Sequence, residues 1–163
     1  MFKKVAFAVP VAILALSSSV AFAAETARSS INISATVPSS VFHAQPVTPG
    51  FGDNEKMAYN VVDGTLGSLR EMFDVKHTDG AVGAYVEGGP QPLFNGTDSI
   101  ALTYTFNGVE LTETSKEVVS EALAKPGTRA ELVIAAAKPA AGKSGNYTAT
   151  PVVIFDAIPK VGP

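Results

Sequence analysis

Turn-forming residues punctuate this chain at short, nearly regular intervals, and that spacing restricts it to short strands. Pro46, Pro49-Gly50 and Gly52-Asp53-Asn54 break one stretch. Asp63-Gly64, Asp79-Gly80, Gly88-Gly89-Pro90, Asn95-Gly96 and Asn107-Gly108 follow, and residues 139–145 form a loop of small residues. Runs of strand length between such breaks are the signature of an all-β domain. Asn107-Gly108 is the sharpest of these signals, because both residues tolerate the left-handed backbone of a two-residue hairpin turn.

Between the turns the apolar residues alternate. Ile100, Leu102, Tyr104 and Phe106 point one way, with Ala101, Thr103 and Thr105 opposite. Leu69, Phe73 and Val75 share one face, and Arg70, Met72, Asp74 and Lys76 the other. Alternation of this kind marks strands with one buried face. Further strands are predicted over 56–62, 81–86, 109–111, 129–136 and 146–156. Residues 115–125, "SKEVVSEALAK", have helix formers and helical spacing, so a short helix is predicted there with Ser115 as its cap. The expected architecture is an antiparallel, immunoglobulin-like sandwich with one helical segment. The chain lacks the tryptophan and paired cysteines that mark antibody domains.

The N-terminus carries an export pattern. Lys3 and Lys4 precede an apolar run, and Ala21-Phe22-Ala23 supplies a small-x-small end. These are the parts of a secretory signal peptide, with cleavage expected between Ala23 and Ala24. Removing 23 of the 163 residues leaves 140, enough for one domain. The formal charge of −3 becomes −5 once Lys3 and Lys4 are gone. An acidic chain is a poor partner for nucleic acid, whose phosphates demand basic patches. With no cysteine, thiol catalysis and thiolate metal sites are excluded.

Little else suggests chemistry. His43 and His77 are the only histidines, too few at too wide a spacing for an imidazole metal site. Asp53-Asn54-Glu55 lacks the alternating acids of a calcium loop. Glu110 and Glu113 lie in an ordinary acidic stretch. No nucleophile elbow, phosphate loop or dinucleotide fingerprint occurs. We therefore expect no enzyme activity, no cofactor, no metal and no small-molecule substrate.

Residues 29–38, "SSINISATVP", hold the cleanest alternation in the chain: Ile31, Ile33, Ala35 and Val37. Burying the three large side chains is worth on the order of 5–8 kcal/mol. The small, polar lead "AETARSS" ahead of them gives the strand reach, as strand addition between molecules requires.

Three stretches resemble a known family. "INISATVP", 31–38, is similar to the N-terminal donor strand of the major pilin of colonisation-factor-antigen fimbriae, the alpha (class 5) branch of the alternate chaperone–usher pathway. "LREMFDVKHTDGA", 69–81, resembles that family's long central strand and following turn. "ELVIAAAKPAAGKSGNYTA", 131–149, resembles its penultimate strand, small-residue loop and the opening of its last strand. The resemblance implies an incomplete sandwich completed by a neighbour's donor strand. It divides the chain into a signal peptide (1–23), a donor extension (24–38) and a pilin domain (39–163).

The resemblance also implies partners: identical subunits in a head-to-tail filament, a periplasmic chaperone, an outer-membrane usher and a tip adhesin. It implies passage through the periplasm to a fimbria on the cell surface that supports adhesion. Leu132, Ile134, Tyr147, Ala149, Val153 and Phe155 are the candidates to line the acceptor groove. Pro151 is expected to bulge or expose the last strand, because it has no N–H for the ladder. The rival reading is a self-contained periplasmic or secreted β-sandwich binding module whose N-terminal strand fills its own sheet.

Overall fold

The computed structural model describes residues 41–160. The expected signal peptide, with its Ala23–Ala24 cleavage point, and the donor strand with Ile31, Ile33, Ala35 and Val37 lie outside the described residues.

Two antiparallel sheets make the sandwich. The larger runs β1 (Phe42–Pro46), β4 (Leu69–His77), β11 (Thr128–Ala136), β8 (Leu102–Phe106) and β9 (Val109–Glu110), in that spatial order. The smaller runs β10 (Lys116–Val119), β5 (Gly80–Val86) and β12 (Val153–Pro159). Two short hairpins flank them: β2 (Tyr59–Asn60) with β3 (Thr65–Leu66), and β6 (Leu93–Phe94) with β7 (Ser99–Ile100). The all-β, antiparallel class with one short helical segment expected from the sequence is the class observed.

Alternation decides which side of each strand is buried. Phe73 and Val75 of β4 and Leu102, Tyr104 and Phe106 of β8 form the core with Val82, Ala84 and Val86 of β5. Tyr104 is fully buried, and its hydroxyl donates to the Gln91 carbonyl at 2.9 Å. Burial pushes that phenol up to about 12, since the charged form loses its hydration. Asn107 and Gly108 make the two-residue turn between β8 and β9, both with positive φ (50° and 78°).

The structure corrects several expected elements. Residues 115–125 are not one helix. β10 takes the first part, and only Glu121–Ala124 (α1) is helical. Val118 and Val119 are β-branched and buried at 3% and 1%. A register shift in the β10–β5 pairing turns both inward, as a bulge does. Ser115 caps nothing: its Oγ donates to Asp156 Oδ1 at 2.8 Å. The strand expected over 56–62 shrinks to the two residues of β2. The strand expected over 99–106 is cut at Ala101, because Ser99–Ile100 pairs with β6 and Leu102–Phe106 with β11.

The final strand begins late. It was expected over 146–156, interrupted by Pro151. It starts two residues after Pro151 and continues to Pro159. The missing proline N–H therefore bounds the strand and does not bulge it.

Candidate functional site

The six candidate groove residues fall on two elements and the irregular segment between them. Leu132 and Ile134 lie on the central β11, opposite Phe106 and Tyr104 of β8. Leu132 is 3% exposed and belongs to the core. Ile134 is half-buried and packs against it.

Val153 and Phe155 lie on β12, opposite Val86 and Ala84. They share the inner face of the small sheet with those core residues. Phe155 is wedged among rings from the facing sheet, 5.4 Å from Phe73 and 4.9 Å from Phe106 between centroids. Yet Val153 and Phe155 are only half-buried.

Tyr147 and Ala149 precede β12, in a segment tethered to β6. Phe94 and Thr148 exchange backbone hydrogen bonds of 2.9 and 3.0 Å. Lys143, in the loop before it, pairs with Asp98 at 2.9 Å. Asp98 holds that ammonium above its ordinary range by hydrogen bond and charge. Ala149 reaches the core. The Tyr147 hydroxyl is buried without a hydrogen-bond partner among the described residues.

Ile134, Ala149, Val153 and Phe155 thus converge on one core while staying partly open to solvent. β12 pairs with β5 on one side and with no described strand on the other. An edge strand backed by half-covered apolar side chains is an unstable surface in water.

Sequence reasoning passed over other residues at this margin. Phe42 and Ala44 of β1, and Phe51 in the following loop, also pack against the core from half-buried positions. Phe51 meets Phe73 edge-on at 6.2 Å. The alternation of Phe42 and Ala44 around His43 was the available signal. Glu71 faces inward between Leu69 and Phe73, and its carboxylate accepts the Thr48 N–H at 2.7 Å. His77 is 5% exposed, its Nδ1 lies 2.9 Å from the Ala81 carbonyl, and Phe42 meets its ring edge-on. Among the described residues no group of three or more potential ligands could hold a metal, and no helix is long and apolar enough to cross a membrane.

A family model, that of the CS1 type fimbrial major subunit, matches residues 27–156. The chain belongs to this family. It is a structural subunit of a bacterial fimbria, from a family of pilins and not of enzymes. Fimbrial subunits are exported to the cell surface and polymerise with copies of themselves. Among solved structures, the CooA pilin subunit from enterotoxigenic Escherichia coli is 12% identical, with a TM-score of 0.48 over 69% of this chain and 95% of that one. No curated protein sequence matches the fimbrial subunit.

Proposed function

We propose that this fimbrial subunit polymerises by donor-strand complementation. Residues 24–38 of one copy lend Ile31, Ile33, Ala35 and Val37 to the cleft of the next. The acceptor side is the outer edge of β12 with Ile134, Ala149, Val153, Phe155 and the Tyr147 hydroxyl; Leu132 floors it from within the core. The observation that carries the reading is the position of Phe155. It is held among core rings, yet it stands half-open on a strand with no described partner on its outer side. An added strand there would cover apolar surface and pair an open backbone edge together. Head-to-tail addition of this kind does not close on itself, so it grows a filament.

In this reading a periplasmic chaperone holds the cleft during transit, an outer-membrane usher exchanges it for the donor strand, and a tip adhesin ends the fibre. The test is assembly with Ile33→Asp. The expected result is loss of heat-resistant ladders on gels, with no filaments by electron microscopy. Ladders that persist with Ile33→Asp would overturn the donor assignment. A purified chain that stays monomeric at high concentration, with its own N-terminal strand docked at home, would favour the self-contained module.

A further inference from the structure

The β2–β3 hairpin plays no part in that cleft. Its turn holds Val61 and Val62 at 83% and 92% exposure, the two most exposed large hydrophobic residues among those described. Adjacent aliphatic side chains standing in water are a surface waiting for a partner.

The turn is tightly cross-bonded. Gly64, at φ +71°, donates its N–H to the Asn60 carbonyl at 2.8 Å. The Val62 N–H donates to Asn60 Oδ1 at 2.9 Å. Asn60 Nδ2 donates to Asp63 Oδ2 at 3.1 Å, and the N–H and hydroxyl of Thr65 both donate to Asp63 Oδ1, at 3.0 and 2.6 Å. The valines therefore form a pre-shaped knob, which loses little freedom when it docks.

The outer face of the larger sheet offers a shallow hollow of about 320 Å³. Val47 and Met72, both partly exposed and joined by a 2.8 Å backbone hydrogen bond, supply its apolar lining, and Thr48 and Glu71, bonded to each other at 2.7 Å, line it too. Arg70 and Glu131, paired at 3.0 Å, stand beside it.

We propose that the Val61–Val62 knob of one subunit docks in the Val47–Met72 hollow of a second copy of this chain, as a contact separate from the strand that links subunits. A second copy is the fitting occupant for two reasons. A fimbrial major subunit is surrounded by copies of itself. The charges also match: Asp63 and Lys138 flank the knob, where a Cβ placed on Gly64 would lie 3.4 Å from Lys138 Cε. Arg70 can meet Asp63, and Glu131 can meet Lys138. The Arg70–Glu131 pair is exposed, so re-pairing it costs little. Knob and hollow are different surfaces, so the contact propagates along a fibre and does not close a dimer. The inference rests on membership of a fimbrial shaft, not on which segment is donated.

The chain has no cysteine, so cross-linking is clean. Filaments carrying Val62→Cys and Met72→Cys should give dimers and higher ladders with a short bis-maleimide, and neither single variant should. The companion variant V61S/V62S should keep the thermal midpoint and the heat-resistant gel ladder but lose filaments of regular width. Absence of double-cysteine cross-links in filaments overturns the docking site. So does V61S/V62S leaving filament width intact while abolishing attachment to cells, since the knob then serves an outside partner. Loss of the gel ladder itself in V61S/V62S also overturns it, because the knob then belongs to the subunit link. Ile33→Asp probes the donated segment independently of all three.

Discussion

Phe155 meets Phe106 edge-on, at 4.9 Å between ring centroids and 68° between planes, joining the two sheets from a strand with no described partner on its outer side. One side chain thus serves both the core and its margin. Phe155→Ala is expected to destabilise the subunit by roughly 2–3 kcal/mol, below the 3–5 kcal/mol of a fully buried phenylalanine because the ring is half-covered. Urea denaturation of the subunit with its cleft filled by a donor strand measures this. A loss under half a kcal/mol would mean the ring is not part of the core.

Tyr104 predicts an alkaline transition. Its phenol titrates near 12 in the folded chain and near 10 unfolded. The folded state therefore keeps a proton that the unfolded state has lost, so stability is full below about pH 10 and falls as pH rises toward 12. The loss is on the order of 2 kcal/mol. Tyr104→Phe should flatten that part of the pH–stability curve, at the expense of the hydrogen bond to Gln91. An unchanged slope in the variant would assign the transition to other groups.

Two glycines of β5 face β12 across unequal obstacles. A Cβ on Gly83 would meet Asp156 Oδ1 and Ser115 Oγ at 2.5 Å, both side-chain atoms. A Cβ on Gly80 would strike the Ile158 carbonyl oxygen, which is backbone. Gly83→Ala should cost about 1–2 kcal/mol and Gly80→Ala more, because the strand itself must shift. Asp156→Ala should recover part of the first loss and none of the second. Equal rescue of both by Asp156→Ala, in a denaturation cycle, contradicts this account.

Asn107 has a testable double role. It occupies the left-handed region at φ 50°, and its Nδ2 donates to the Val118 carbonyl at 2.7 Å. Asn107→Ala should cost about 1–2 kcal/mol, from backbone strain plus the lost bond. Asn107→Gly should cost less, since only the bond is lost. Thermal melts of the two variants in that order support the assignment; the reverse order sinks it.

Short windows of sequence sufficed wherever structure depends on neighbours along the chain. The alternation in Leu69–His77 and Leu102–Phe106 selected the buried faces, because side chains on a strand alternate by geometry. Asn107-Gly108 specified its hairpin, because the turn demands positive φ at both positions. The family was legible too, in the stretches 69–81 and 131–149. Other features waited on contacts between distant segments. Val118 and Val119 read as a helix face until β5 supplied a partner ladder and a bulge to bury both. The burial of Glu71 depends on the Thr48 N–H, 23 residues away. The exposure of Val61 and Val62 depends on no other described segment reaching them. Local periodicity and turn chemistry were therefore set residue by residue, while coverage, pairing and open edges belong to the assembled sheets, since each requires a second strand whose position no short window contains.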